Sequence, residues 1–559
     1  MAKLGVVGEY IGRVFEEAKA WPLFIVRRTR GRGLKGSSSV NASARSFERS
    51  GAATALMSLA WLALLAWARP LWLPDEGRYV GVAWEMMRSG DWLVPTLDGL
   101  PYFHKPPLFY WITAAAMTAF GPVEWAARAA PVLGAWAGAM GTFLFLRRWR
   151  EPAIARLALV VLMAQPLFYI GGQFANLDML VAGCITVTIV LLAHAALLCE
   201  AGAKFRVPLI AAYAAAALGM LAKGLIGFVL PAFVICTWLL LRRRWRTLRS
   251  LESVPGILVF LAVAAPWFIA MQLRFADFLN YFFVVQHFKR YAVGGFNNVQ
   301  PPWFYPVVLI LFTLPWLPWL RPHLERGRLA DPVRGDLRLL LWAWFAVIVV
   351  FFSLPASKLL GYVLPAVPPL AGLLADGLET WLDRQPRSGR LWSASACVSV
   401  ASSLAIIGVL SVRTPHSTAD VGEALRTFRK VGEPVHMLGN YYFDLPFYAR
   451  LPEPAPVVLN WAAPEIRLHD TWRKELADAG AFAPARARGL LLMPATLDAS
   501  LCAQPVSWVV GPADAAQNYA FLARGQVVAR GRNAVLWRIE RTRALATGSL
   551  KCAGVPGAG

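Results

Sequence analysis

Long apolar runs separated by short polar stretches fill most of this chain. Four of the runs are nearly free of charged residues, and each is about 18 residues or longer: 52–73, 224–241, 254–273 and 392–410. A helix of that length crosses the roughly 30 Å hydrocarbon core of a bilayer, because each helical residue advances it by about 1.5 Å. The pattern therefore predicts a multi-pass α-helical membrane protein.

Arginine-rich clusters between the runs predict the topology, because positive residues are retained on the cytoplasmic side. The clusters lie at 27–32, 147–150, 242–249, 321–338 and 384–390. The loops on the outer side are then 74–106, 171–178, the surroundings of 223, 275–302, 354–361 and everything after about 413. This alternation requires an odd number of crossings, and we count eleven.

The apolar stretch 108–120 is short for a membrane span. It predicts an interfacial or re-entrant helix or, paired with a further segment, a total of thirteen crossings. Either arrangement keeps the C-terminal part outside.

The composition changes after about residue 413, where charged residues, Pro and Gly become more frequent. Buried strands are predicted at 435–438, 490–493 and 506–510, a hairpin over 527–540, and amphipathic helices near 419–430 and 465–479. We therefore expect three regions. They are a basic cytoplasmic segment at 1–50, a transmembrane domain at 51–413 whose first outer loop is 74–106, and a small periplasmic α/β domain at 414–559.

Composition supports the membrane assignment and argues against nucleic-acid binding. The chain is 57% hydrophobic and 16% charged, which is more apolar than a soluble globule can bury. Its formal charge is +23, but the basic residues lie in short loops between apolar runs. We expect contacts with anionic membrane lipids and none with nucleic acid. The six cysteines form no zinc-binding pattern, and the sequence leaves open whether Cys502 and Cys552 pair.

The first outer loop carries acids, bases and aromatic residues close to the membrane. It begins with DEGRY at 75–79 and ends with YFHKPPLFYW at 102–111, in which two prolines redirect the chain. A short helix between the two motifs would present Val82, Met86 and Met87 as an apolar face lying on the bilayer. Interfacial anchoring alone would also explain Trp, Tyr, Arg and Lys at this depth.

Ionisable residues on the other outer loops favour a functional site. They are Asp178 in NLDM, the isolated Lys223, His287 and Arg290 in VVQHFKRY, and Lys358 in SKLLGYVLP, which also contains Tyr362. Ionisable groups at membrane depth are costly and are usually paired or functional. Because these residues share one predicted side, we expect them to meet Asp75 and Lys105 in a single polar cavity.

With these motifs in this order, the sequence resembles the bacterial aminoarabinose lipid A transferases of the protein O-mannosyltransferase-like group, which has the GT-C fold. The resemblance covers nearly the whole chain and implies an integral-membrane glycosyltransferase of the inner membrane. Such an enzyme moves 4-amino-4-deoxy-L-arabinose from undecaprenyl phosphate to a lipid A phosphate at the periplasmic face. The product lowers the negative charge of the outer membrane and gives resistance to polymyxin and other cationic peptides.

The resemblance also implies roles for individual residues. Asp75 and Lys105 would be catalytic, and Lys105, Lys223 and Arg290 would bind the donor phosphate. Further residues expected to line the substrate site are Glu76, Arg78, Tyr79, Tyr102, Asp178, His287 and Tyr362.

The sequence departs from the family pattern next to two of these residues. The family commonly has Glu before the lysine of the KPPL turn, where this chain has His104. Gln286 precedes His287 at a position where an acid is common. A divalent ion bound through His104 and His287 would lose a carboxylate ligand, so metal dependence and the exact sugar stay open.

Three alternatives remain. A related polyprenyl-phosphate glycosyltransferase would transfer another sugar, such as mannose, or use a protein or polysaccharide acceptor. A lipid transporter or flippase is disfavoured, because the sequence lacks the internal repeats that are typical of transporters. A purely structural membrane protein does not explain charged and aromatic residues gathered on one side. We expect a monomer.

Overall fold

The computed structural model describes residues 51–289, 298–324, 332–384, 388–412, 417–469 and 471–552. The predicted basic segment and Arg290 lie outside these residues. Ala55–Gly559 form one compact unit, and of the other unit, Met1–Thr54, only residues 51–54 are described. The domain boundary near residue 413 stays a prediction, because the chain on both sides of it belongs to the same compact unit.

Eight helices of the described residues are long and apolar enough to cross a membrane. They are Ala129–Trp149, Leu177–Glu200, Arg206–Lys223, Val254–Arg274, Phe304–His323, Gly335–Ser353, Leu360–Leu382 and Gly389–Val412. The bent pair Pro152–Ala164 and Pro166–Gly172, with 68° between its halves, would make a ninth span. The prediction of a multi-pass helical membrane protein is confirmed.

Three shorter apolar helices decide whether the predicted count of eleven to thirteen crossings is reached. They are Gly51–Ala63, Leu108–Phe120 and Ile226–Leu241, each of 10–17 residues. Length alone does not qualify them as spans, so the count stays a prediction. Other helical segments of this part are Asp75–Ser89, Glu124–Ala127, Trp245–Ser250 and the π-helix Asn280–Lys289.

The first apolar run does not form one long helix, so the predicted helix through residue 73 is wrong. The helix ends at Ala63, and Leu65 has a left-handed φ of 69°. Arg128 then donates to the backbone carbonyls of Ala66 and Arg69 at 2.6 and 2.9 Å. A buried side chain thus satisfies carbonyls that a continuing helix would have satisfied itself.

The helix Asp75–Ser89 lies inside the protein rather than flat on a bilayer. Two acids occupy its first turn, which suits the helix dipole, and Gly90 ends it with a left-handed φ of 70°. Val82 and Met86 are buried in the main apolar core, so the predicted bilayer-facing surface is wrong. The periodicity was correct, but the protein itself covers the apolar face.

The C-terminal part is built around a six-stranded sheet, which confirms the predicted α/β class. The first two strands, β1 (Thr96–Leu97) and β2 (Leu100–Pro101), form a separate short hairpin in the first loop. The strands of the six-stranded sheet are β3 (Val435–Leu438), β4 (Val457–Val458), β5 (Leu491–Leu492), β6 (Val506–Gly511), β7 (Gln526–Arg530) and β8 (Val535–Glu540). The strand order is β5-β4-β3-β6-β8-β7. β3 pairs parallel with β4 and β6, whereas β8 pairs antiparallel with β6 and with β7 in the predicted hairpin.

Short helices precede, join and follow these strands. They are Ala419–Phe428, Leu445–Tyr448, Glu465–Leu468, Trp472–Ala481, Pro484–Leu490, Leu497–Cys502, Ala515–Asn518, Ala520–Ala523 and Arg541–Ala546. A disulfide joins Cys502 to Cys552, which answers the question that the sequence left open. The sheet part also meets the first loop closely, because a Cβ added to Gly77 would lie 3.0 Å from the backbone nitrogen of Asp444.

Candidate active site

A polar cavity lies where the first loop, three long helical elements and the C-terminal part meet. It encloses about 510 Å³, including the space at its open mouth. Its lining residues are Asp75, Arg78, Tyr79, Tyr102, His104, Lys105, Asn176, Leu177, Asp178, Lys223, Leu359, Tyr362 and Glu475. Residues that are distant in sequence therefore share one cavity, as predicted. The prediction is wrong for Lys358, which does not line this cavity: its buried ammonium donates to the backbone carbonyls of Gln300 and Pro355 at 2.8 and 2.5 Å.

One side of the cavity is an ion pair between two membrane helices. Asn176 caps the helix Leu177–Glu200 by accepting from the backbone nitrogen of Asp178. Lys223 is the last residue of the helix Arg206–Lys223, and its Nζ pairs with a carboxylate oxygen of Asp178. The ammonium also lies 4.3 Å from the ring centroid of Tyr362. Pairing offsets the cost of holding both charges in a largely buried place.

The close approach of Gly361 holds Asp178 in this position. A Cβ added to Gly361 would lie 2.7 Å from the Cβ of Asp178, and nearer still to a carboxylate oxygen. Real Cβ atoms essentially never come so near, so any larger residue at this position would displace the carboxylate.

The other side of the cavity is organised by Arg78. Its guanidinium pairs with Asp75 three residues earlier and donates to Glu475 Oε1 at 2.6 Å. Glu475 also accepts from the hydroxyl of Tyr102 at 3.3 Å. Burial by itself would lower the pKa of Arg78, but Glu475, Tyr79, Tyr102 and Asp75 together outweigh it and raise that pKa well above its usual value. The guanidinium further lies over the ring of Tyr79.

Glu475 was not predicted as a site residue. It lies in the helix Trp472–Ala481, which we predicted only as an amphipathic helix of the C-terminal part. A single Glu on such a helix is ordinarily a solvated residue. Its 11% exposure and its partners reveal its place, and neither can be known before the fold is.

Glu76 was expected to line the site, and the structure places it elsewhere. Its carboxylate is fully buried and pairs with Arg69 and Arg128, and its Oε1 also accepts from the backbone nitrogen of Ala175 at 2.8 Å. Burial alone would raise the pKa of Glu76, but the charges and hydrogen bonds of Arg128 and Arg69 outweigh it and lower that pKa to about 2. Glu76 therefore holds the start of the first loop in place.

The second predicted motif is placed as expected. Lys105 and His104 both line the cavity, and the His104 ring stacks on Tyr102 with the centroids 4.8 Å apart. The His104 Nε2 forms a 2.8 Å hydrogen bond with the hydroxyl of Tyr281.

A metal site is not formed by the part of the chain that the structure describes. No group of three or more His, Cys, Asp or Glu side chains there can hold an ion. The Nε2 of His104 is engaged by Tyr281. Arg290 and the side chain of His287 lie outside the described residues, so their predicted roles stay predictions.

Comparisons with known proteins find one matching family and several similar chains. Residues 104–269 match the family described as dolichyl-phosphate-mannose-protein mannosyltransferase. A relative from Aeromonas hydrophila subsp. hydrophila, named an undecaprenyl phosphate-alpha-4-amino-4-deoxy-L-arabinose arabinosyl transferase, is 34% identical over 55% of this chain and 56% of its own length. A relative of the same name from Aeromonas salmonicida is 33% identical over 62% of this chain and 64% of its own length. The chain thus spans less than two thirds of the length of these relatives.

Solved structures extend the similarity to the whole fold. The crystal structure of ArnT from Cupriavidus metallidurans bound to undecaprenyl phosphate superposes with a TM-score of 0.73 at 24% identity, over 88% of this chain and 98% of that one. Its apo state gives 0.71 at 23% identity, over 90% and 99%. The chain is therefore a multi-pass membrane protein with the GT-C fold. Its resemblance to the bacterial aminoarabinose lipid A transferases, which the motifs indicated, is confirmed.

Proposed function

We propose that the chain is a glycosyltransferase that moves 4-amino-4-deoxy-L-arabinose from undecaprenyl phosphate to a phosphate of lipid A. The observation that carries the proposal is the cavity, in which Lys105 and Lys223 face the carboxylates of Asp75, Asp178 and Glu475. Cations suit a phosphate leaving group, and carboxylates suit an amino sugar. The names of the relatives and of the superposed structure supply the sugar and the lipid carrier.

Departure of the lipid phosphate is the demanding step of such a transfer. Lys105 and Lys223, with Arg290 from the undescribed segment, would stabilise the negative charge that develops on it. Preorganised charges of this kind contribute of order 3–4 kcal/mol per strong donor. Lys223 is already held by Asp178 and the Tyr362 ring, so it is positioned before the donor arrives.

Asp75 would act on the sugar or the acceptor rather than on the carrier phosphate. A phosphate acceptor has its second pKa near 6 and is largely deprotonated at neutral pH, so it hardly needs a general base. The pairing of Asp75 with Arg78 holds the carboxylate at the wall of the cavity. There it would stabilise positive charge on the sugar while the acceptor attacks from the face opposite the departing phosphate, which inverts the anomeric centre.

The cavity would face the periplasm from the inner membrane. The Cys502–Cys552 disulfide supports this side, because disulfides persist in oxidising compartments. The arginine clusters at the opposite ends of the helices support it as well. The added ammonium group would then reduce the negative charge of lipid A and weaken the binding of polymyxin. We propose that the chain acts as a monomer.

A second candidate keeps the chemistry and changes the substrates. The match of residues 104–269 to the protein mannosyltransferase family favours a polyprenyl-phosphate transferase for another sugar or for a protein acceptor. His104 also favours this second candidate. It stands where the family commonly has Glu, and it changes the polar lining of the cavity.

Mass spectrometry of lipid A from cells with and without the chain tests the proposal. An added mass of one aminopentose, formed by the wild-type chain and not by Asp75→Asn, is the expected result. An unchanged lipid A together with a glycosylated peptide would replace it with the second candidate. Unchanged products of every kind would refute both.

A further inference from the structure

A hydrogen-bond network leads from the cavity to the C-terminal part through one hydroxyl group, that of Tyr281. It lies 2.8 Å from His104 Nε2, 3.0 Å from Gln286 Nε2 and 3.2 Å from Asp478 Oδ2. Asp478 in turn pairs with Lys474 at 2.6 Å, four residues earlier on the helix Trp472–Ala481. Three distant segments therefore converge on one phenol.

A count of protons assigns the direction of each bond. The phenol has a single proton to donate. The ion-paired carboxylate of Asp478 can only accept, and the amide nitrogen of Gln286 can only donate. The proton of Tyr281 therefore goes to Asp478, and the bond from His104 must be donated by an Nε2–H group.

The surroundings of Tyr281 keep its hydroxyl protonated and its ring in place. Burial raises the pKa of Tyr281 above its usual value, and the charge of Asp478 raises it further, so the hydroxyl stays protonated. The ring packs edge-on against Phe482, which directly follows the helix of Asp478, with the centroids 5.3 Å apart. Tyr281 is thus fixed by packing as well as by its hydrogen bonds.

The tautomer of His104 has a consequence for the cavity. A neutral imidazole that carries its proton on Nε2 has an acceptor at Nδ1. We propose that the Lys474–Asp478–Tyr281 network positions His104 so that its Nδ1 accepts a hydrogen bond from a hydroxyl or ammonium group of the donor sugar. This inference rests on the proposed function, and it makes His104 a specificity-determining residue and Tyr281 a positioning residue.

The surroundings of His104 fit this role. Its ring lines the cavity and is 5% exposed. Stacking on Tyr102 fixes the orientation of the ring plane. A donor group of the sugar can replace any protein donor that reaches Nδ1 in the unliganded chain. Loss of one such contact reduces sugar affinity about tenfold.

Nitrogen NMR of the full chain labelled at histidine tests the network without any turnover. The His104 signals are assigned by their loss in His104→Asn. Wild type is expected to show Nε2 protonated, and Tyr281→Phe is expected to lose that preference, whereas Tyr213→Phe keeps it. Tyr213 is a matched control, because its hydroxyl bonds to the backbone carbonyl of Leu251 and it does not line the cavity. A proton on Nδ1 in wild type would overturn the proposal.

Two substitutions of His104 distinguish a direct contact with the sugar from a purely structural hydrogen bond to Tyr281. Asn places its amide oxygen near the position of Nδ1, whereas Gln places its amide nitrogen near that of Nε2. Affinities are measured for undecaprenyl phosphate carrying aminoarabinose and for undecaprenyl phosphate alone. Gln is expected to weaken only the sugar-linked lipid, about tenfold, and Asn to remain within about threefold.

The outcomes are distinct from failure of the proposed function. Equal weakening of both lipids by Gln, or full affinity of Gln with loss in Asn, would overturn the sugar contact. If wild type leaves lipid A unmodified while His104→Gln weakens only the sugar-linked lipid, the acceptor assignment fails and the His104 contact stands.

Discussion

Asp75 and Glu76 are neighbours in the chain, yet they belong to two different kinds of charged region. Asp75 is 34% exposed, lines the cavity and has Arg78 as its ion-pair partner. Glu76 is fully buried, and its two oxygens are shared by Arg69, Arg128 and backbone nitrogens. Both regions concentrate charge near the membrane, but only the first borders open space.

The difference shows how a structural charge can be told from a functional one. In the Glu76 cluster the acid has bonds enough to satisfy both oxygens, so burial is offset and nothing is left for a ligand. In the cavity the ion pairs on either side border open space, about 510 Å³ with the mouth included, so their charges can meet a ligand. Exposure to that volume, rather than charge, distinguishes the candidate catalytic residue.

Replacement of the cavity acid should have the largest effect. Asp75→Asn is expected to reduce transfer at least about 10³-fold, because it removes a charge that the reaction uses. Little change in stability is expected, because Arg78 keeps Glu475 as an ion-pair partner. Transfer of aminopentose to lipid A by purified protein measures it. Asp514→Asn, at an exposed position of the C-terminal part, is the matched control. Retained transfer in Asp75→Asn would remove this residue from the mechanism.

Replacement of the buried acid should act on folding instead. Glu76→Gln leaves Arg69 and Arg128 without their counter-charge, which is expected to destabilise the protein by about 3–5 kcal/mol. Thermal unfolding in detergent measures this, with Glu423→Gln on the exposed face of helix Ala419–Phe428 as control. A stable but inactive Glu76→Gln would erase the distinction between the two acids.

A single methyl group tests the geometry of the Asp178–Lys223 pair. Gly361→Ala would push the Asp178 carboxylate away, and a displacement of this size can cost about 100-fold in transfer. Gly408→Ala is the matched control, because a Cβ there meets nothing within 4 Å. Wild-type rates in Gly361→Ala would mean that the position of Asp178 is unimportant.

The smallest effect concerns acid stability. The pKa of Glu76 is lowered from 4.5 to about 2 in the folded chain, so its stabilisation is complete above about pH 4.5 and is lost as the pH falls through about 2. Unfolding measured between these values should show a pH-dependent component that Glu76→Gln lacks. The same slope in both proteins would contradict the assignment of that pKa.

Much of this organisation could be predicted because membrane helices and short strands leave strong local patterns. The long apolar helices, β3, β6 and the β7–β8 hairpin follow from runs and alternation in the sequence. The cavity residues of the first loop could be expected from the clustering of charge beside a membrane. The resemblance to a family then predicted that these residues belong to one site.

What could not be predicted depends on contacts between distant parts of the chain. The early end of helix Gly51–Ala63 is compensated by Arg128, which lies far along the sequence. The inward face of Val82 and Met86 depends on what covers it, because an apolar face suits protein and lipid equally. Glu475 enters the cavity only because the C-terminal part packs on the first loop.

A structure of the chain with undecaprenyl phosphate tests the central claim, that this cavity is where transfer occurs. The account predicts the phosphate between Lys105 and Lys223, within about 4 Å of both ammonium nitrogens. A phosphate bound away from Asp75 and Asp178, or a lipid bound only along the outer helix surfaces, would contradict it.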